Sequence, residues 1–136
     1  MGTTSVQPNS LSTVATSGSY SDLSNKPTID TFQTKTGTTQ TISSFPANTV
    51  YSCTASGNTT KITISGFANP TPETRAAYYT IVFKATSCTF TVPSTVMWVG
   101  GNAIEFDSGT AYTYEVNFMK IQLSEGVRYL ATWNRY

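Results

Sequence analysis

The segment from Tyr79 to Phe118 constrains the fold of this chain more than any other stretch. It begins and ends with runs in which apolar and polar residues alternate, and the turn Gly100-Gly101 lies between them. Side chains along a β-strand point alternately to opposite faces of a sheet, so this alternation is typical of strands that bury one face. Pro93 ends one of the strand-like runs. We therefore expect an all-β domain built around this segment.

Further strands are expected on both sides of the segment. Polar turns at intervals of about ten residues separate short apolar runs, which is typical of a β-sandwich or a jelly-roll-like barrel. Gly57-Asn58 predicts a hairpin, and Ser124-Glu125-Gly126 predicts another. After Phe118 the apolar residues change from even to odd positions, which predicts a bulge or bend there. The expected strands are 39–45, 50–55, 60–67, 78–85, 89–92, 96–99, 104–106, 111–123 and 127–133.

The predicted fold class is all-β: an antiparallel β-sandwich or jelly-roll-like domain over residues 32–136, preceded by an extended N-terminal arm over residues 1–31. The arm is too polar to form a core, and Gly18 and Pro27 interrupt any helix. Its first ten residues carry neither a basic region nor an apolar run, so we expect no signal peptide. We expect the arm to become ordered by packing on a partner or on copies of itself.

The charge pattern bears on the partners of the chain. Charged residues make up only 11 %, and serine and threonine account for 42 of the 136 residues. The net charge of +1 comes from scattered single charges rather than from a basic stripe that would bind phosphates. No apolar run approaches the roughly 18 residues of a membrane span. We therefore expect neither nucleic acid nor a membrane as a partner.

Residues that usually carry catalysis or bind metals are scarce. The chain has no histidine, which excludes the Ser-His and Cys-His arrangements of nucleophilic enzymes. Glu105 and Asp107 share one face of an expected strand, but Asp-Ser-Gly is typical of a solvated turn. Cys53 and Cys88 are expected to be buried thiols, with a cross-strand disulfide as the alternative. We expect no enzyme activity, no cofactor and no metal site.

Aromatic residues, at 12 % of the chain, are the candidates for contact with a partner. Aromatic side chains dominate both cores and interfaces, and their faces suit sugar rings, so core packing, a subunit interface and glycan contact all remain open. The segments 96–99 and 113–121 carry apolar residues on both faces, which suits a subunit interface. The candidate interface or glycan-contact residues are Tyr78, Trp98, Tyr112, Tyr114 and Trp133.

Two segments, residues 17–29 and residues 79–118, match patterns of a known protein family. Residues 17–29, SGSYSDLSNKPTI, resemble the G-x-Y-x-D-L-x-N-K-P-T-I segment that recurs in the fibre proteins of tailed bacteriophages. Residues 79–118 look like a C-terminal β domain common in them, with a Thr-rich strand that ends in Pro93, then V-x-W-x-x-G at 96–101 and G-x-x-Y at 109–112. Many of these relatives have a proline after the Gly-Asn turn, where this chain has Ala103.

The resemblance implies a virion structural protein that is homotrimeric: a head fibre, a capsid-decorating protein or a tail fibre. Such a protein either decorates the particle or binds host-surface glycans for adhesion. The arm would attach to the capsid or to other virion proteins. The candidate attachment residues are Tyr20, Asp22, Leu23, Asn25, Lys26, Pro27 and Ile29. The alternative function is a monomeric carbohydrate-binding module.

Overall fold

The computed structural model describes residues 30–136, and their regular structure is almost entirely β-strand. The strands are β1 (Thr31–Lys35), β2 (Thr39–Ile42), β3 (Thr49–Cys53), β4 (Lys61–Ile64), β5 (Tyr78–Ala85), β6 (Thr89–Thr91), β7 (Val96–Trp98), β8 (Tyr112–Leu123) and β9 (Gly126–Arg135). A short 3-10 turn, Val99–Gly101, follows β7. The all-β class predicted from the alternation is confirmed.

The first six strands alternate between two sheets. β1, β3 and β5 pair in parallel within a six-stranded sheet of order β1-β3-β5-β8-β9-β7, and β2, β4 and β6 form a parallel three-stranded sheet. Each passage of the chain through both sheets is here called a rung, and three rungs stack on one another. Phe45 and Phe67 occupy equivalent places on adjacent rungs, and their rings stack with centroids 6.1 Å apart.

A hairpin and one edge strand complete the six-stranded sheet. β8 lies antiparallel to β5, β9 lies antiparallel to β8, and β7 lies parallel to β9 at the far edge. Leu123 pairs with Gly126, so the predicted turn at residues 124–126 is confirmed. Gly126 has a φ of 123°, a conformation that other residues rarely adopt.

Inward-facing side chains of both sheets form one hydrophobic core. The small sheet contributes Ile62 and Ile64, and the large sheet contributes Tyr79, Ile81 and Phe83, all of them fully buried. Phe83 also stacks on Phe90 of the other sheet, with ring centroids 5.8 Å apart. Burial of each large apolar side chain contributes about 1.5–3 kcal/mol, so the alternating pattern holds the two sheets together.

The pairs formed among the first six strands are parallel rather than antiparallel as predicted, and the predicted hairpin at Gly57-Asn58 is wrong as well. β3 and β4, which flank this turn, belong to different sheets, so the turn leads the chain from one sheet to the other. Residues 104–106 form no strand; Phe106 packs on Tyr114 from a loop. Alternation shows which face of a strand is buried, but it does not show which strand lies beside it.

β8 continues in register past Phe118, so the predicted bulge is also wrong. Its pairing with β9 is uninterrupted from Tyr114 to Leu123. Phe118 is buried on the inner face, whereas Met119 keeps the alternation and lies on the opposite face with 38 % of its surface exposed. The apparent change of phase in the sequence therefore reflects apolar residues on the outer face of the sheet.

Candidate interaction surface

The outer face of the six-stranded sheet, turned away from the core, carries four apolar side chains at one level. Tyr78 of β5 pairs with Met119 of β8, Met119 pairs with Leu130 of β9, and Leu130 pairs with Met97 of β7. Paired residues on neighbouring strands point to the same face, so these side chains form a continuous apolar row. The exposed fraction is 54 % for Tyr78 and 41 % for Met97.

A polar but uncharged row lies one step along the strands. It consists of Thr80, Asn117 and Thr132, which pair in register. The Thr80 hydroxyl donates to Asn117 Oδ1 at 2.7 Å, and Asn117 Nδ2 donates to Glu115 Oε2 at 3.1 Å, so the amide is held in one orientation. The polar row and the apolar row, except for Met97, line a groove of about 320 Å³. Val99, which is 54 % exposed, lies at its far end.

A second depression of about 200 Å³ extends the groove toward β1, and it shares Tyr78 and Thr80 with the first. Asp30 and Asn48 line it. Thr31 N donates to Asn48 O at 2.9 Å and Asn48 N donates to Tyr78 O at 2.7 Å, which places Asp30 at the level of the apolar row. Asp30 and Asn48 therefore form the β1 end of the groove.

Charged side chains border the groove but do not line its floor. Asp30, which lines the β1 end, forms an exposed ion pair with Arg75 at 3.8 Å. Glu115 lies one step beyond the polar row on β8. An exposed surface that is apolar and free of charge is typical of contact with protein or with apolar groups rather than with ions.

The five aromatic residues predicted to contact a partner do not lie on one surface. Tyr78 points outward in the apolar row. Tyr114 is fully buried, with its ring 4.9 Å from that of Phe106, so it belongs to the core rather than to a contact surface. The remaining three are partly buried and pack against the core: Trp98, Tyr112 and Trp133.

The sequence marked the two-faced segments but not the individual surface residues. Met97 and Met119 lie within segments 96–99 and 113–121, whose two apolar faces suggested an interface. Leu130 lies in the expected strand 127–133, for which the sequence predicted no interface. Met119 is apolar at an odd-numbered position, and this indicated an apolar outer face rather than the bulge or bend predicted after Phe118. The predicted attachment residues lie outside the described residues: Tyr20, Asp22, Leu23, Asn25, Lys26, Pro27 and Ile29.

Reactive side chains in the described part of the chain have structural contacts. Asp107 Oδ1 accepts a hydrogen bond from Gly109 N at 3.0 Å, as in an Asx turn. Cys53 and Cys88 are free, and burial is the main cause that raises the pKa of each thiol to about 11. Among residues 30–136, no three or more of Cys, Asp and Glu are grouped to hold a metal ion. Within the same residues, no helix has the length and apolar character to cross a membrane.

Comparison with known proteins gives no relative. A scan against protein-family models, a search of curated proteins and a search of solved structures each found no match to this chain. The outer face of the six-stranded sheet is therefore the main structural evidence that bears on function.

Proposed function

We propose that this chain is a structural protein of a bacteriophage virion, a head fibre, capsid-decorating or tail fibre protein that acts as a homotrimer. The observation that carries the proposal is the outer face of the six-stranded sheet, where large apolar side chains are exposed without charged neighbours in their rows. Exposed apolar areas of this kind mark contacts with other proteins. Assembly needs such a surface, whereas catalysis needs a cleft with reactive groups.

The proposal includes a two-layer β-sandwich and an N-terminal arm, residues 1–31, that attaches to the capsid or to other virion proteins. The single core shared by both sheets supports the two layers. The resemblance of residues 17–29 to a recurrent fibre segment supports the role of the arm. A jelly-roll strand order is not included, because the first six strands pair in parallel.

The stacked rungs are also consistent with a structural role. In such an arrangement each rung contacts its neighbours through backbone hydrogen bonds between strands, and the structure extends in one direction. Among residues 30–136, β1 and β2 are edge strands of the two sheets. Strands at sheet edges have backbone groups that can pair with another strand, which supports further assembly at this end.

Adhesion to a host-surface glycan is a secondary part of the proposal. Tyr78 is the one exposed ring among the five predicted contact aromatics, and Asn117 and Thr132 lie in the same groove. A ring face beside hydroxyl and amide groups has the chemistry that sugars bind. Binding of the 136-residue chain to host-envelope saccharides tests this part, and no binding to any envelope fraction contradicts it.

The mass of the full chain in solution tests the main proposal. Light scattering over a range of protein concentrations should give three times the 14.7 kDa of one chain. A chain that stays monomeric at the highest concentrations contradicts the fibre proposal. The monomeric carbohydrate-binding module would then be the better interpretation.

Two matched variants test whether the outer face takes part in assembly. Phe32 is 68 % exposed and pairs with Val50 on this face, whereas the adjacent Gln33 is exposed on the other side of β1. Phe32→Lys and Gln33→Lys each add one lysine to the same strand. We expect Phe32→Lys to weaken trimerisation by about tenfold or more, because it places charge in an apolar contact. Gln33→Lys should leave the mass unchanged, and equal behaviour of both variants would exclude Phe32 from the interface.

A further inference from the structure

We infer that each copy in the proposed trimer inserts Phe32 into a depression at the opposite edge of the six-stranded sheet of the next copy, beside Val99 and Trp133. This inference deepens the proposed function and rests on it, because the occupant of the depression is a second copy of the chain. The contact joins two different patches, one at each edge of the sheet, and a head-to-tail contact of this kind closes a ring of three copies.

Phe32 projects from the β1 edge of the sheet with 68 % of its surface exposed. It pairs with Val50 of β3, which points to the outer face because its neighbours Thr49 and Tyr51 are buried on the inner one. Among residues 30–136, β1 has a neighbouring strand on one side only. The Phe32 ring is therefore left largely uncovered by the domain to which it belongs, and its burial by a partner is favourable.

The depression lies at the opposite edge of the sheet and has a volume of about 290 Å³. β7 ends at Trp98, which pairs with Ala131, so the following residues of β9 extend past the end of β7. A cavity of about 150 Å³ is enough to hold a benzene ring, so a phenylalanine side chain fits here. The five lining residues are all uncharged, and one of them offers an aromatic ring: Val99, Asn102, Ala131, Thr132 and Trp133.

Phe32 and the depression lie at the same level along the strands. Phe32 pairs with Val50, and Val50 pairs with Thr80. Thr80 pairs with Asn117, and Asn117 pairs with Thr132, which lines the depression. Rotation about an axis parallel to the strands does not change the level of a residue along that axis. A threefold axis in this direction therefore brings Phe32 of one copy opposite the depression of the next.

The width of the sheet suits three copies around such an axis. Its six strands are separated by five spacings of about 4.8 Å, so the outer face is about 24 Å wide. Three such faces set as the sides of a triangle lie about 7 Å from the axis, whereas two packed sheets each lie about 5 Å from their midplane. The extra depth suits the long, exposed side chains of the two middle strands, Tyr78 of β5 and Met119 of β8.

Glu115 limits the length of the contact on one side. It lies on the outer face of β8, one step beyond the polar row. Because sheets twist, three faces approach one another closely over only part of the strand length. The level shared by Phe32 and the depression is that of the uncharged polar row, so the three faces approach most closely there without burying the Glu115 carboxylate.

Cross-linking between the two edges tests the inference in the 136-residue chain. Thr34 is exposed on the same face of β1 as Phe32, and Asn102 is exposed at the depression. Thr34→Cys with Asn102→Cys is made in a Cys53→Ala, Cys88→Ala chain, whose mass is first measured by light scattering. We expect a short bismaleimide to give a covalent trimer on a denaturing gel, because it joins each copy to the next.

The two single-cysteine chains are the controls for this cross-link. In the ring, three copies of Thr34→Cys alone, or of Asn102→Cys alone, lie at different corners about 24 Å apart, beyond the reach of a short reagent. Neither single variant should therefore form a covalent product. Covalent dimers from one of them would show a twofold contact between identical edges and would overturn the inference.

Charges placed on both sides of the contact give a second test. Phe32→Lys and Val99→Glu each put one charge into an apolar contact, so we expect each alone to weaken trimerisation by about tenfold or more. In the combined variant the introduced lysine of one copy meets the introduced glutamate of the next. Its trimer should be about tenfold more stable than the two separate losses predict.

Phe32→Lys with Met119→Glu is the matched control, because it adds the same two charges. Met119 lies on a middle strand and is remote from both edges, so the two losses should add. Additive losses in the Phe32→Lys, Val99→Glu chain as well would show that Phe32 does not meet Val99 of the next copy, and the inference would be wrong.

The inference and the proposed function are separated by the mass of the chain. A monomeric mass for the unaltered chain would contradict the trimer and this contact together. A trimeric mass without covalent trimers from the Thr34→Cys, Asn102→Cys chain would keep the trimer and overturn the contact at Phe32.

Discussion

Tyr79 combines a buried ring with one polar atom, and both contribute to stability. Its hydroxyl donates a hydrogen bond to Ala68 O at 2.6 Å, and burial raises its pKa well above the usual range. Its ring packs edge-on against those of Phe45 and Phe67. Tyr79→Phe removes the donor to a partly buried carbonyl, so we expect the free energy of unfolding to fall by about 1–2 kcal/mol in urea denaturation.

The adjacent residue provides the control for this prediction. Tyr78 is exposed on the opposite face of β5, so Tyr78→Phe should change the free energy of unfolding by less than about 0.5 kcal/mol. Equal losses in the two variants would show that the Tyr79 hydroxyl has no special role.

The thiols of Cys53 and Cys88 should make stability depend on pH in the alkaline range. Burial raises the pKa of each from its ordinary 9.0 to about 11. The unfolded chain therefore ionises first, so this contribution is complete below pH 9 and is lost as the pH rises to 11. We expect the free energy of unfolding, measured in urea between pH 8 and pH 11, to fall over that interval.

A variant without thiols isolates their part of this effect. Tyr51, Tyr79 and Tyr129 also have raised pKa values because of burial, and they remain in a Cys53→Ala, Cys88→Ala chain. Stability of that chain should fall less steeply between pH 9 and pH 11. Parallel curves for the two chains would contradict the assignment to the thiols.

At the scale of structural elements, adjacent rungs approach closely at Gly66. A Cβ on Gly66 would lie 3.1 Å from the Ser43 carbonyl oxygen of the adjacent rung. The hydrogen bond from Phe45 N to Gly66 O, at 2.9 Å, fixes the two backbones at this point. Because the neighbour is backbone and cannot rotate away, we expect Gly66→Ala to lower the free energy of unfolding by about 1–3 kcal/mol in urea.

Gly57 provides a matched substitution in a turn between the sheets. The nearest atom to its added Cβ is the Thr38 methyl group at 3.9 Å, an ordinary contact. Gly57→Ala should change stability by less than about 0.5 kcal/mol. If Gly66→Ala were as stable as Gly57→Ala, the close stacking of the rungs would be refuted.

The limits of individual strands were easier to predict than the pairing between strands. Residues 78–85 were expected as a strand and form β5 with those limits, because alternation follows from burial along a single strand. Pairing instead joins distant residues: Thr49 lies opposite Tyr79. Gly57-Asn58 has the composition of a hairpin turn, but the residues around it gain more burial in two different sheets. Local turn chemistry therefore gave the wrong pairing.

Prediction of the candidate surface would also have required knowledge of which distant strands pair and in what register. Two-faced apolar segments were visible in the sequence, but the apolar row exists only through the register of four strands. Residue type alone was a poor guide for Tyr114, which is fully buried, and for Trp98, which packs against the core. Tyr78 is also a tyrosine, but it is exposed because its side chain points to the outer face of the sheet, whereas that of Tyr114 points to the core. Exposure was set by position in the sheet rather than by the residue.

The whole molecule has few charges to guide assembly. The chain carries eight basic and seven acidic residues, and the apolar and polar rows of the outer face contain none of them. Salt screens interactions between exposed charges, with a Debye length of about 10 Å at 0.1 M and about 3 Å at 1 M, but it does not weaken apolar burial in this way. We therefore expect the mass of the assembled chain in light scattering to stay constant between about 0.05 and 1 M sodium chloride.

Association of the Phe32→Lys variant, unlike that of the unaltered chain, should depend on salt concentration. In the proposed trimer this variant would add a lysine from each of three copies to the apolar contacts, and repulsion between them would be strongest at low salt. Its association should therefore be weakest at about 0.05 M sodium chloride and should recover in part as the salt concentration rises. Dissociation of the unaltered chain by salt would mean that scattered surface charges, rather than the uncharged outer face, hold the copies together.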